Sequence, residues 1–368
     1  MDFMINNRNS KRENIFDFLR SIFMLFVFLR HFYLTIPGNY DYMQYLSPFA
    51  ELFVGLAGFM VGMIYLYRNN DYYLLKRGLK ILLVFYIVAI PFTIGKSIFL
   101  DQSNQPVSEI ILKVILMMED PTAINILRFY GLIFLMLPII LWFYRKVQKT
   151  TIISSIFIFF LSSILYYSQS SKESSFFISQ TLMMLVQWQL FFVIGIKLGD
   201  LYKTNEFKKL LPSMTRIYFV LAPLALIIHL TWFSESIVKF PYTYGKLLNT
   251  FYLAPIYVFI LCFIYQKAKG SYIDKFIRVV GRNSLFAFIL SEIIRIGVIK
   301  LPITIFSIQL SEFSSFVIAI ITSFILIYVI YLYEYIKKSE HISLGINKFQ
   351  KLIIKVPGKF KLNRTASK

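Results

Sequence analysis

The 368-residue chain contains a single cysteine, Cys262, which excludes internal disulfides and any thiolate metal cluster. Charge is scarce as well. Asp, Glu, Lys and Arg make up 16% of the residues, against about 25% in ordinary soluble domains. Acidic residues are the scarcer half, 19 against 39 Lys and Arg, and the chain has three histidines. The local signatures of soluble catalysts are missing: there is no Gly-x-Ser-x-Gly elbow, no Gly-rich phosphate loop, no His-Glu-x-x-His and no Cys-x-x-Cys. No period of about 20 to 50 residues repeats, and the chain lacks the inverted symmetry common in transporters.

What the chain has instead is apolar length. Hydrophobic residues make up 57% and aromatics 18%, which predicts an all-α, polytopic integral membrane protein. Ten apolar runs lie at about residues 15–36, 48–67, 79–100, 124–144, 151–168, 180–199, 215–233, 249–266, 283–300 and 312–335, most of them close to the ~20 residues that span a bilayer as helix. The first is no cleavable signal peptide, because Asp17, Arg20, Arg30 and His31 interrupt it and no small-residue cleavage site follows. Alternating the connections between the two sides places 29 basic residues on one side and 4 on the other. The basic side is cytoplasmic by the positive-inside rule, so both termini are expected there. The expected organisation is a cytoplasmic segment 1–14, a transmembrane domain 15–335 and a basic cytoplasmic tail 336–368. Lys348, Lys351, Lys355, Lys359 and Lys361 of the tail suit anionic lipid headgroups. The net charge of +20 therefore reports topology, and nucleic acid is not an expected partner. The apolar stretch from Glu109 to Met118 is too short to span and reads as an interfacial helix.

Ionisable groups inside spans are costly, about 2.5–3.5 kcal/mol each at mid-membrane, and point to function by default. The first run holds most of them. Arg20 and His31 are eleven residues apart, which on a helix is three turns plus about 20°, so they share a face about 16 Å apart along the axis. Asp17 falls about 40° to the other side of the same line. A buried histidine is the usual general base near neutral pH. The alternative is an Asp17–Arg20 salt bridge and a His31 that only bonds a neighbouring carbonyl. In the second run, Glu51 sits about one turn inside the outer surface, at a depth similar to His31. It would orient His31 or neutralise Arg30; spacing alone leaves both open. Gly55, Ala57, Gly58 and Gly62 form a small-residue face suited to close helix packing. Glu292 and Arg295, an i,i+3 pair in the ninth run, read as a local salt bridge.

These two runs carry a resemblance. Asp17-x-x-Arg20, ten residues, His31, then Glu51-Leu-Phe-Val-x-Leu-Ala-Gly-Phe59, resembles the membrane-bound acyltransferase-3 superfamily and, within it, the OpgC-like branch typified by glucan succinyltransferases. Leu127-Arg-Phe-Tyr130 leading to Pro138, Trp188-Gln189-Leu-Phe-Phe-Val-Ile-Gly195 and Gly281-Arg-Asn-Ser284 extend the likeness over about residues 11–335. Two departures stand out: Ala57 replaces a frequent Ser, and Arg30 beside the histidine is outside the motif.

The resemblance implies a bacterial plasma-membrane enzyme that moves an acetyl- or succinyl-type group from cytosolic acyl-CoA to a hydroxyl of an extracytoplasmic glycan. His31 would be the catalytic histidine and Arg20 its partner, with Arg20 and Asp17 also lining the donor's path. Lys76, Arg77 and Lys80 resemble a basic cluster that would hold the CoA phosphates, although positive-inside topology accounts for them equally well. Glu51 would hold His31, and Arg128 and Gln189 would stabilise the oxyanion or bind sugar; Arg128 has Glu119 or Asp120 as alternative partners. Acyl-CoA is a substrate; no permanently bound cofactor and no metal are expected. Self-association into a homo-oligomer is left open. The competing expectations are a transporter or flippase for a lipid-linked glycan and a structural component of a polysaccharide-assembly system. For such an enzyme, a cavity open to the cytoplasm beside Lys76 and Arg20 and reaching His31 is expected.

Overall fold

The computed structural model describes residues 14–35, 45–68, 71–99, 106–116, 125–170, 180–232, 244–306 and 310–338. Every regular element among them is helical. Six helices are long and apolar enough to cross a membrane, within Asp71–Gly95, Asn125–Lys146, Gln148–Leu165, Lys209–Ile228, Asn249–Ala268 and Phe313–Lys337. The chain is thus a multi-pass, all-α membrane protein. In order, the helices are α1 (Asn14–Thr35), α2 (Pro48–Ile64), α3 (Asp71–Phe99), α4 (Val107–Ile115), α5 (Asn125–Lys146), α6 (Gln148–Ser170), α7 (Gln180–Lys203), α8 (Glu206–Trp232), α9 (Tyr244–Ala268), α10 (Tyr272–Arg282), α11 (Ser284–Ile293), α12 (Leu301–Ile305) and α13 (Glu312–Lys338). A π-helical turn, Ile294–Lys300, joins α11 to α12. The tail beyond Lys338 and the acidic pair Glu119 and Asp120 lie outside the described residues.

The apolar runs became helices because spacing and length both favoured it, and the exceptions have local causes. The basic connection between the eighth and ninth apolar runs, residues 267–282, contains α10. Ser271 Oγ accepts from the Asp274 amide at 3.2 Å while the Asp274 carboxylate accepts from the Gly270 amide at 2.9 Å, a reciprocal cap that starts a helix. Gly270 takes φ +85°, which a side chain would resist. The ninth run begins at Asn283, which separates α10 from α11, and within the run the helix widens at Ile294. The short apolar stretch after the third run forms α4, with Ile110 and Val114 buried and a Lys113–Glu109 ion pair of 2.7 Å on its polar face.

Small residues set the closest contacts. A Cβ at Gly58 or Gly62 of α2 would run into the carbonyls of Phe192 and Ile196 of α7, and one at Gly195 or Gly199 into those of Gly55 and Phe59. The two helices run parallel along this seam, with the backbone-to-backbone approach that small-residue faces permit. Gly78 and Gly131 do the same for the antiparallel pair α3 and α5. At one end of the bundle Asp200 of α7 accepts from Tyr67, Tyr144 and Gln148, tying the ends of α2, α5, α6 and α7 together.

α1 lies at the centre, touched by α2, α9, α10, α11, the π turn and α13. Phe18, Phe23, Met24, Phe28 and Phe32 of α1 are fully buried. Along one side α1 runs parallel to the α10–α11 arm in constant register. The Gly281 amide donates to Ser21 Oγ at 2.7 Å and Arg295 Nη1 to Thr35 Oγ1 at 3.2 Å, both across an offset of 260 residues. Between these bonds, Phe288 packs edge-on against Phe28 with centroids 5.3 Å apart.

Candidate functional site

This register places two charged sites at opposite ends of α1. At the end where α1 begins, Asp17 is 3% exposed. Its carboxylate faces Arg282 at 3.6 Å, and Arg282 also faces Glu334 of α13 at 3.7 Å. Asn283 donates to the same Glu334 at 3.0 Å. Ser21 donates to the Asp17 carbonyl at 2.8 Å while it accepts from Gly281. A Cβ at Gly281 would strike that carbonyl, so glycine is what lets the arm reach α1 here. Two segments singled out separately in the sequence, Asp17-x-x-Arg20 and Gly281-Arg-Asn-Ser284, therefore form one contact, and Asp17 meets a partner from another helix.

At the other end a recess is lined by Phe28, His31 and Phe32 of α1, Phe288, Ser291 and Glu292 of α11, and Arg295 of the π turn. Glu292 is 1% exposed. Its carboxylate takes a bidentate bond from Arg295, Nη2 to Oε1 at 2.6 Å and Nε to Oε2 at 3.0 Å, the strong planar geometry of a guanidinium–carboxylate pair. Arg295 also donates to Thr35 Oγ1, whose own hydroxyl bonds the His31 carbonyl at 2.7 Å. The local salt bridge read from the i,i+3 spacing exists, but it faces the histidine. The spacing carried no hint of that neighbour. The available signal was the presence of two more ionisable groups in an apolar run. π-helical turns recur at functional sites, and this one carries Arg295.

The other expected residues are distributed as follows. Glu51 is 1% exposed in the first turn of α2, its charge acts on Arg30, and it is not among the residues lining the recess. Arg20 is half-buried, within electrostatic reach of the Tyr130 phenol of α5, whose hydroxyl donates to the Phe53 carbonyl at 3.2 Å. Arg128 is fully buried with its guanidinium 4.6 Å above the Phe85 ring. Gln189 bonds Ser155 twice, accepting from its hydroxyl at 2.6 Å and donating to its carbonyl at 2.8 Å, and so joins α7 to α6. Lys76, Arg77 and Lys80 are exposed on the first turns of α3, with Arg77 4.9 Å over Phe134. Neither Arg20 nor Lys76 lines the recess. No group of His, Cys, Asp and Glu suited to a metal ion occurs among the described residues.

A histidine and a buried ion pair lining one recess of an apolar, multi-pass helical bundle are costly to bury, and they mark that recess as the candidate site of a membrane protein. The family model described as OpgC protein matches residues 12–339, and the chain belongs to that family. Membership points to an OpgC-like, glucan-modifying membrane transferase. No curated protein and no solved structure matches the chain.

Proposed function

We propose that the protein is a membrane-bound O-acyltransferase of the acyltransferase-3 superfamily that moves an acyl group from cytosolic acyl-CoA to a hydroxyl of an extracytoplasmic glycan. The observation that carries this reading is the recess in which His31 faces a buried carboxylate–guanidinium pair, in a chain matching the OpgC family over nearly its whole length. His31 takes the proton of the acceptor hydroxyl, and the oxygen attacks the thioester carbonyl. The carbon–sulfur bond breaks, and the imidazolium returns the proton to the departing CoA thiolate. Arg20, Asp17 and the exposed Lys76, Arg77 and Lys80 guide the donor, with the cations on its phosphates. Arg128 and Gln189 are assigned to the oxyanion or the sugar, and Glu51 to the charge balance around His31 and Arg30.

Ten spans with both termini in the cytoplasm of a bacterial cell complete the proposal. Helix direction supports this count. In strict alternation the first and ninth spans run the same way, as do the second and sixth, and the third opposes the fourth. α1 with α11, α2 with α7, and α3 with α5 have those directions. The test uses purified protein, radiolabelled acyl-CoA and cell-envelope glycan. Label should enter the glycan and be lost in His31→Ala. Undiminished labelling by that variant would sink the mechanism, and loss of glycan export with acyl content unchanged would establish a transporter instead.

A further inference from the structure

The Glu292–Arg295 pair has no part in the chemistry above, although it lines the same recess as His31. We propose that Glu292 and Arg295 form a charge-balanced positioning unit, in which Glu292 orients His31 while Arg295 cancels enough of its charge to keep the imidazole neutral between turnovers. The inference rests on His31 acting as the base.

A lone carboxylate beside a histidine favours imidazolium, and a protonated histidine cannot act as a base. Burial of Glu292 in a wall of Phe28, Phe32 and Phe288 would strengthen that attraction, since little water is present to screen it. The bidentate guanidinium removes most of the excess negative charge yet leaves the carboxylate in place. Arg295 is itself tied to α1 through Thr35, and Thr35 to the His31 carbonyl, so one side chain fixes both the charge and the distance between the helices. When His31 accepts the acceptor's proton, the carboxylate face of the pair stabilises the imidazolium.

α1 and the elements packed against it carry other titratable and charged groups. On α1 the neighbour is Arg30, with Glu51 of α2 acting on it. α9 brings the phenol of Tyr257, which is stacked on Phe49. Glu334 of α13 is held at the far end by Arg282 and Asn283. Lys300 closes the π turn beyond Arg295.

Because the chain has only three histidines, His229→Gln/His341→Gln leaves His31 as a single reporter whose titration can be followed by NMR of labelled imidazole in micelles, without any turnover. In that background Arg295→Gln should move the His31 midpoint up by about one pH unit and Glu292→Gln should move it down by about one. The double variant should return it near the starting value. Arg295→Lys, which keeps the charge but not the fork, should leave the midpoint in place and lower kcat. The acid limb of the kcat profile should follow the NMR midpoint in each variant that retains turnover. Midpoints unmoved by both single changes, or moved in the same direction, would overturn the proposal even if acyl transfer by His31 stands. Conversely, the expected shifts without any acyl transfer would leave the charge balance intact and remove the acyl-transfer reading.

Discussion

The seam between α2 and α7 allows a quantitative test of whether backbone contact holds the bundle. In Gly58→Ala the new methyl would sit 2.8 Å from the Phe192 carbonyl carbon and closer still to its oxygen. Both atoms are helix backbone and cannot rotate away. The helices must part, and because Gly62, Gly195 and Gly199 make equivalent approaches, parting loosens the whole seam. Overpacking of this kind costs about 1–3 kcal/mol, against roughly 1 kcal/mol gained from alanine's helix propensity. Gly95→Ala in α3 supplies the control, since a Cβ there meets nothing within 4 Å and only the propensity gain applies. The difference between the two variants is therefore about 1–3 kcal/mol in favour of Gly95→Ala. Cys262, the one thiol and half-buried in α9, reports unfolding through a thiol-reactive fluorogenic dye during a thermal ramp in detergent. At about 2–4 °C per kcal/mol, Gly58→Ala should melt roughly 2–12 °C below Gly95→Ala. Equal melting temperatures, or a higher one for Gly58→Ala, would refute the claim that this seam sets the helix spacing.

Further expectations concern charge. Replacing Lys76, Arg77 and Lys80 together by Ala should raise KM for acyl-CoA roughly tenfold or more, at about 0.5–1 kcal/mol per exposed contact, and the effect should shrink at high salt. An unchanged KM would leave those residues to topology alone. Arg282→Met should destabilise the fold by about 1–2 kcal/mol, because Asp17 and Glu334 lose the cation between them, with the loss moderated by partial exposure of Arg282. In a double-mutant cycle on melting temperature, Asp17→Asn should remove part of that loss; strict additivity would count against the pair.

The apolar runs made the helices legible, because length and composition alone satisfy the requirement that every backbone group be bonded inside a membrane. Ends were less so. α3 begins at Asp71, before its apolar run, since exposed helical turns carrying Lys76, Arg77 and Lys80 need no apolar residues. α10 escaped notice because its basic residues suit a cytoplasmic loop equally well, although Ser271-x-x-Asp274 was the mark of a cap. Within the site, His31 was found from its rarity in an apolar helix, whereas its neighbours were not. Sequence spacing fixes which residues share a helix face, but not which other helix that face meets. Glu51 acts on Arg30, one of the two roles its spacing left open, while Glu292, on a helix remote in sequence, lines the recess.

The constant offset between α1 and the α10–α11 arm explains how so polar a first helix can sit at the centre of a membrane domain. Asp17 would be costly there alone, yet it meets Arg282; Thr35 near the other end accepts from Arg295. Both partners come from one arm, held to α1 near the end where α1 begins by the Gly281–Ser21 bond. A shift of one residue in that register would turn Arg282 and Arg295 about 100° away from α1 and strand both ends at once. The same register that satisfies the charges also sets Glu292 beside His31, so stability and chemistry depend on one alignment. A change that slides the arm, such as a bulkier residue at Gly281, should therefore disturb His31 from the opposite end of the helix.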